Sequence, residues 1–283
     1  MRKNLIHAIS IIAMAATMSS CNKDNEAPEV SKYITIDAGV GSLTRATSTA
    51  FETNDKVSIY AWTGSNTAVQ TPLVVDNALN TYDGTKWTAV PQMLWKDNTT
   101  AHYFLGVYPT KAITDFTADT YATTPDLLVA TVLDEGRKAT AGIVPMMFDH
   151  VMAKLTVNLT FRSEFGTTLP TVESVTVNAQ PGAVVNYLTK TATADGSAVE
   201  VAMTVITTNT AYSQVVSPQS INNITINIAD QPYVYNNATG FALATGKIQT
   251  VNLIVGRDKI ELGSMSINDW ATGDTIDDGE AKN

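Results

Sequence analysis

An all-β fold, arranged as two tandem β-sandwich domains, is what this chain predicts, and three observations predict it. Short segments alternate apolar and polar residues with period two, the pattern of half-buried strands. Clusters such as Pro181-Gly182, Asp195-Gly196-Ser197 and Asn236-Asn237 separate them with residues that suit turns. No stretch carries a helical period long enough to build a helix, and the strands outnumber those of one seven-stranded sandwich.

The first element is a secretion signal over residues 1–21. Arg2 and Lys3 give a basic start, and an apolar run from Leu5 to Met18 is broken only by His7, Ser10 and Thr17. Ser19 and Ser20 then lead into Cys21, the single cysteine of the chain. The run falls short of the ~20 residues of a spanning helix. A lone cysteine directly behind a cleavage region fits a bacterial lipoprotein signal, in which the thiol takes a diacylglycerol before the peptidase cuts ahead of it. Residues 22–31 (Asn-Lys-Asp-Asn-Glu-Ala-Pro-Glu-Val-Ser) are polar, acidic and interrupted by Pro28, so they read as a tether.

Alternation begins at Tyr33. Ile34, Ile36, Ala38 and Val40 share one face, with Thr35, Asp37 and Gly39 between them. Val57, Ile59 and Ala61 repeat the pattern; His102–Tyr108 is a strand stopped by Pro109, and Leu127–Val132 is a more continuous apolar run. The longest alternation places Val151, Ala153, Leu155, Val157, Leu159 and Phe161 on one side. Further strands are expected at Val172–Val177, Val199–Val205, Ile221–Ile228, Gln249–Val255 and Ile260–Ile267. The loop Gly136–Ile143 and the long strand behind it set a domain boundary near Asp149, giving domains 32–149 and 150–283.

Composition excludes several classes of function. The net charge of the 283 residues is −9, which argues against nucleic acid, whose partners need a basic footprint. Charged residues are 16% of the chain, with Thr, Asn and Ser filling the polar remainder as in extracellular β proteins. Of three histidines, His7 leaves with the signal, and His102 and His150 lie far apart at strand ends, without the partners of a triad or a zinc site. No glycine-rich phosphate loop is present, and no cofactor is expected. Asp134-Glu135 is a weak candidate for glycosidase carboxylates. Asp274, Asp277, Asp278 and Glu280 lack calcium-loop spacing and read as a solvated tail. Trp62, Trp87 and Trp95 sit in or beside strands, where packing is their default use. An enzyme is not expected.

Taken in order, several segments resemble the fimbrillin (type V pilin) family of surface lipoproteins. They are Ser42-Leu43-Thr44-Arg45-Ala46, Phe51-Glu52-Thr53-Asn54-Asp55-Lys56-Val57-Ser58-Ile59-Tyr60-Ala61, Leu94-Trp95-Lys96-Asp97 and Phe104-Leu105-Gly106-Val107-Tyr108-Pro109. Asp126-Leu127-Leu128-Val129-Ala130, Phe148-Asp149-His150-Val151-Met152-Ala153-Lys154-Leu155-Thr156-Val157, Gly246-Lys247-Ile248-Gln249 and Ile267-Asn268-Asp269-Trp270 continue the series. One departure is Gly106-Val107, where relatives often carry Ala and an aromatic before Tyr-Pro.

The resemblance implies that both sandwiches are transthyretin-like and that the chain assembles with other pilin subunits into a fimbrium. It implies a lipoprotein precursor delivered to the surface of the outer membrane. There an arginine-specific surface protease cuts behind the first strand, and the matching bond here is Arg45–Ala46. Ile34, Ile36, Ala38 and Val40 would then belong to a removable strand. Its loss would expose unpaired backbone and an apolar groove, which an incoming strand from another subunit would fill. The donor end is weaker: Ser264–Trp270 carries only Met265, Ile267 and Trp270, and the residues after it hold Ile276 as their sole large apolar side chain. That favours a tip or accessory subunit. Asp274-Thr275-Ile276 resembles an O-glycosylation acceptor at Thr275. Two other readings stay open: a surface glycan-binding or adhesin lipoprotein that meets a host or bacterial surface ligand through Trp62 and Trp87, and an uncut fimbrial anchor.

Overall fold

The computed structural model describes residues 30–41, 50–123 and 125–270 of the protein. Nineteen strands lie among them. The first half holds β1 (Ile36–Val40), β2 (Lys56–Thr63), β3 (Val75–Tyr82), β4 (Trp87–Val90), β5 (His102–Tyr108), β6 (Asp119–Ala122), β7 (Leu128–Arg137) and β8 (Val144–His150). The second holds β9 (Ala153–Phe161), β10 (Val172–Ala179), β11 (Gly182–Asn186), β12 (Thr191–Asp195), β13 (Val199–Ala202), β14 (Thr204–Thr207), β15 (Ala211–Val216), β16 (Ser220–Ile228), β17 (Gln231–Ala242), β18 (Lys247–Val255) and β19 (Ile260–Asp269). Two single 3-10 turns, Ala139–Ala141 and Ser163–Phe165, are the helical pieces among the described residues.

Seven strands of the first half form one sheet in the order β1-β8-β7-β5-β2-β3-β4. The sheet curls until its two ends touch, where the Trp87 indole N–H on β4 donates to Ala38 O on β1 (3.4 Å). Inside the curl lies a core that includes Ile34, Ile36, Val57, Ile59, Phe104, Met146 and Phe148. β2 is buried on both faces because its odd residues fill this core while Tyr60 and Trp62 point the other way.

That opposite face is covered by a second layer, the three-stranded sheet β12-β11-β6. β6 comes from the first half and the β11–β12 hairpin from the second, so backbone pairing from Val184 to Thr120 stitches the halves together. Ala183, Val185 and Tyr187 pack with Tyr60, Trp62, Leu105 and Val107. The hydroxyls of Tyr60 and Tyr187 buried here are partnered, as a dry interface requires. The Tyr187 hydroxyl donates to Asp119 (2.6 Å), which also pairs with Lys111 (3.0 Å). The Tyr60 hydroxyl donates to Lys111 O (2.7 Å) and accepts from Ile113 N–H (3.0 Å). Burial pushes the Tyr60 hydroxyl up to about 12, so it stays a neutral donor.

The rest of the second half is a sandwich of β13-β10-β16-β17 on β14-β15-β9-β18-β19. Its core includes Leu155, Val157, Val177, Ile224, Ile226, Val251 and Leu253. The single strand expected at Val199–Val205 is divided at Met203, which is buried and donates its N–H to Val175 O (2.9 Å). There the chain leaves one sheet as β13 and joins the other as β14, closing one side of the sandwich. β7 runs to Arg137, five residues beyond the apolar run Leu127–Val132 that marked it.

Candidate functional site

β1 carries three of the four residues singled out at the N-terminus, and the fourth, Ile34, lies two residues before it. Ile34 and Ile36 are only 3% and 6% exposed, and Ala38 and Val40 pack half-buried against the same core. The alternation explains this: Ile36, Ala38 and Val40 stand in register with Val144, Met146 and Phe148, the inward residues of β8. Asp37 and Gly39 face the other way, opposite Pro145 and Met147.

The pairing of β1 with β8 is parallel. Val144 N–H donates to Thr35 O (2.9 Å) at one end, and Gly41 N–H donates to Phe148 O (2.9 Å) at the other. Just before β1, Ile34 N–H donates to Met93 O (3.0 Å) and Trp95 N–H to Lys32 O (3.1 Å), with Tyr33 and Leu94 forming an antiparallel bridge. The segment is thus held on both sides at its start and has β8 as its one ladder partner along its length, with the Trp87 indole reaching Ala38 O.

β8 itself has little else to hold it. Its ladder with β7 comprises only Leu128 with His150 and Val129 with Asp149. Beyond that point the two strands part, and an open cleft of about 790 Å³ separates them, lined by Thr131, Leu133, Glu135, Arg137, Met147 and Gly39 among others. Asp134 and Glu135 are exposed on its wall. Because Val144 and Phe148 direct their backbone groups to β1, the alternating Pro145 turns its ring nitrogen toward the cleft, where no N–H is required.

Aromatic packing fixes the chain where it returns. The Phe51 ring meets Trp87, Tyr108 and Phe148 edge-on, with centroids 4.9, 5.5 and 5.2 Å away. Gly106 is a necessity of the groove floor, since a Cβ there would lie 2.6 Å from Phe148 Cζ and 3.0 Å from Met146 Cε. The departure at Gly106 therefore makes room for the two β8 side chains beneath β1.

The histidines are packing groups. His102 is fully buried, accepts Lys96 N–H at Nε2 (3.0 Å) and donates from Nδ1 to Thr100 O (2.9 Å). Burial holds it below the usual histidine range, so it is neutral. His150 donates from Nδ1 to Asp126 (2.5 Å), and Trp270 stacks on its ring with a centroid distance of 3.9 Å. Trp62, Trp87 and Trp95 are all buried, so the tryptophan platform of the glycan-binding alternative is absent at those positions.

Cys21, Arg45, Ala46 and Thr275 lie outside the described residues, as do Asp274, Asp277, Asp278 and Glu280. Gly41 and Ala50 bound the segment that contains Arg45. Sequence reasoning missed β8, the partner of β1. Its signal was Pro145, a residue confined to strand positions that need no donor.

A fimbrillin-like family profile matches residues 44–270 of the chain. No curated protein sequence matches it. Among solved structures, a proposed cell adhesion protein of Bacteroides uniformis is similar at 20% identity, covering 84% of this chain and 98% of its own, with a TM-score of 0.66. A proposed cell adhesion protein of Bacteroides ovatus gives 16% identity, coverages of 86% and 99%, and a TM-score of 0.67. A fimbrial protein of Bacteroides vulgatus gives 13% identity, coverages of 84% and 99%, and a TM-score of 0.54. At these identities the likeness establishes the fold.

Proposed function

Because the chain belongs to the fimbrillin-like family, whose members are structural and adhesion proteins rather than enzymes, we propose that it is a tip or accessory subunit of a cell-surface fimbrium. It is exported as a lipoprotein acylated at Cys21, held at the surface of the outer membrane, and assembled with other pilin subunits by donor-strand exchange after an arginine-specific protease cuts Arg45–Ala46.

The observation that carries this reading is the position of β1. It is the most N-terminal described strand, the only full-length ladder partner of β8, and it ends five residues before Arg45 in the sequence. Cutting that bond would release Ile34, Ile36, Ala38 and Val40 together with the lipid. The β8 edge from Val144 to Phe148 would lose its partner, and Met146 and Phe148 would line an open groove. An incoming strand with alternating apolar residues restores both, driven by burial at about 25 cal/mol per Å² and offset by the ordering of that strand.

A subunit that accepts a strand without offering one suits the far end of the chain. β19 is paired with β18 from Lys247 opposite Asp269 to Val255 opposite Ile260, and Trp270 N–H donates to Gly246 O (2.8 Å). Among the described residues no C-terminal strand is left unpaired.

The test is digestion of the purified lipoprotein with an arginine-specific protease. The expected product begins at Ala46 and gains the ability to associate or to bind an added strand peptide. Retention of the intact Tyr33–Arg45 segment with no gain in association overturns the reading.

A further inference from the structure

Three large apolar side chains of the first half stand exposed among its described residues: Val90 at 69%, Ile143 at 60% and Leu94 at 50%. Seven more large apolar side chains stand exposed in the second half, Val205 and Ile206 at 55% and 56% among them, so the location of these three matters more than their number. All three gather at one end, where the N-terminal segment joins the fold. Leu94 bridges Tyr33 on one side of that segment. Ile143 precedes Val144, whose N–H donates to Thr35 O (2.9 Å) on the other side. Val90 ends β4 and lies four residues before Leu94. Leu94 also forms the lip of an open cleft of about 450 Å³ with Pro72, Leu73 and Lys96.

Charges of both signs stand at this end, where Asp76, Asp134 and Glu135 are exposed as well as three lysines. Lys32, Lys96 and Lys138 are exposed there, with the Lys32 ammonium 5.0 Å from the Tyr33 ring centroid. The nearest carboxylate in sequence, Asp97, is turned back on its own loop, accepting from Thr99 N–H (2.8 Å) and Thr100 N–H (2.6 Å). Exposed aliphatic side chains with lysines and a tyrosine among them, whose long stems and ring can reach the headgroups, suit a surface that rests in a bilayer interface.

The chain outside the structure sets what lies opposite. Only residues 22–29 separate Cys21 from Val30, the first described residue. Fully extended, that stretch spans about 30 Å at ~3.3–3.6 Å per residue. A lipid on Cys21 therefore keeps this end within about 30 Å of the membrane. Tethering also converts weak apolar contact into an intramolecular event, so a small patch suffices.

We propose that the Val90–Leu94–Ile143 end is a membrane-contact face, seated on the bilayer that carries the Cys21 lipid. The inference rests on the lipid-anchor reading above. It gives the precursor a fixed orientation, with β19 and the second sandwich directed away from the membrane. Cleavage at Arg45–Ala46 would remove the lipid, Lys32 and Tyr33 together and so free this face.

The test uses the full chain acylated at Cys21 and bound to vesicles of zwitterionic and anionic phospholipid containing lipids with a quencher at the headgroup boundary. The acylated cysteine has no free thiol, so Leu94→Cys, Ile143→Cys and, as a control from the second half, Leu169→Cys each accept a single fluorophore. The expected result is quenching at positions 94 and 143 several-fold stronger than at 169, which is also exposed (49%). Protein that floats with the vesicles but shows equal quenching at all three positions overturns this inference alone. Protein without an acyl mass on Cys21 overturns the anchor reading and this one with it. Labels at 94 and 143 that are already shielded from an aqueous quencher before vesicles are added would assign the face to contact between copies of the chain, and overturn it too.

Discussion

Both halves of the molecule contain one parallel strand pair, and they secure it in opposite ways. In the second half, β9 and β18 run together from Lys154 opposite Ile248 to Phe161 opposite Val255, at the centre of a five-stranded sheet. β15 lines the outer edge of β9 and β19 that of β18, so both members stay paired whatever happens at the periphery. In the first half, β1 and β8 form the end of their sheet, and β8 meets β7 at only two residues. One pair is interior and permanent. The other depends on a segment that, in the proposed assembly, a single cut would remove. The same local geometry is enclosed in one half and terminal in the other, according to what stands on the far edge of each strand.

The sharpest way to break this contrast is to remove β1. Cleavage and separation of residues up to Arg45 should cost about 5 kcal/mol, from burial of two isoleucines at ~1.5–3 kcal/mol each and part of Val40. That corresponds to a fall in thermal midpoint of about 10–20 °C, and a synthetic Tyr33–Val40 peptide added in trans should restore much of it. Leu155→Ala in β9 should cost about 2–5 kcal/mol, and no added peptide should recover it. Equal rescue, or none in either half, would erase the distinction.

A smaller effect separates the halves from each other. Tyr187→Phe removes the 2.6 Å hydrogen bond to Asp119 and should cost about 1.5–3 kcal/mol, because the acceptor is charged and the site is dry. Hydrogen exchange should quicken at the β6 and β11 amides while β9 and β18 are unchanged. Gly106→Ala should cost about 1–3 kcal/mol by overpacking against Phe148, and Phe148→Leu should relieve part of it in the double variant. Denaturant unfolding of the four proteins in that cycle checks both statements.

The smallest effect is on pH dependence. His102 is held neutral, below its ordinary value, so the unfolded chain binds a proton that the folded chain does not. Stability is full above about pH 6.5, the unperturbed histidine value, and falls as pH is lowered through it toward the depressed folded value. Thermal midpoints from pH 8 to pH 5 should show this slope, and His102→Gln should flatten it.

How much of this was legible in the sequence depends on what each strand touches. β1 and β9 were readable because one face is buried and the other wet, which writes alternation directly into the residues. β8 was not, because Pro145 interrupts it and the usual rule demotes such a segment; the open cleft beside it is what makes the proline tolerable. β3 was hidden by polar residues (Val75-Asp-Asn-Ala-Leu-Asn-Thr-Tyr) and by Asn77 with φ of 49° at an irregular step in its ladder. β11 and β12 are short and packed against the other half of the chain, so their apolar residues answer to a partner distant in sequence. The departure at Gly106 was visible in the sequence, but its reason was not, since Phe148 and Met146 reach it only through the fold.

The central claim is that β1 is a temporary occupant of the groove beside β8. The most direct test is the N-terminal residue of the protein recovered from assembled surface fimbriae, read by mass spectrometry. The account predicts Ala46, with no acyl group and no β1. Fibres in which the chain still begins at an acylated Cys21 would contradict it and identify the protein as an uncut anchor.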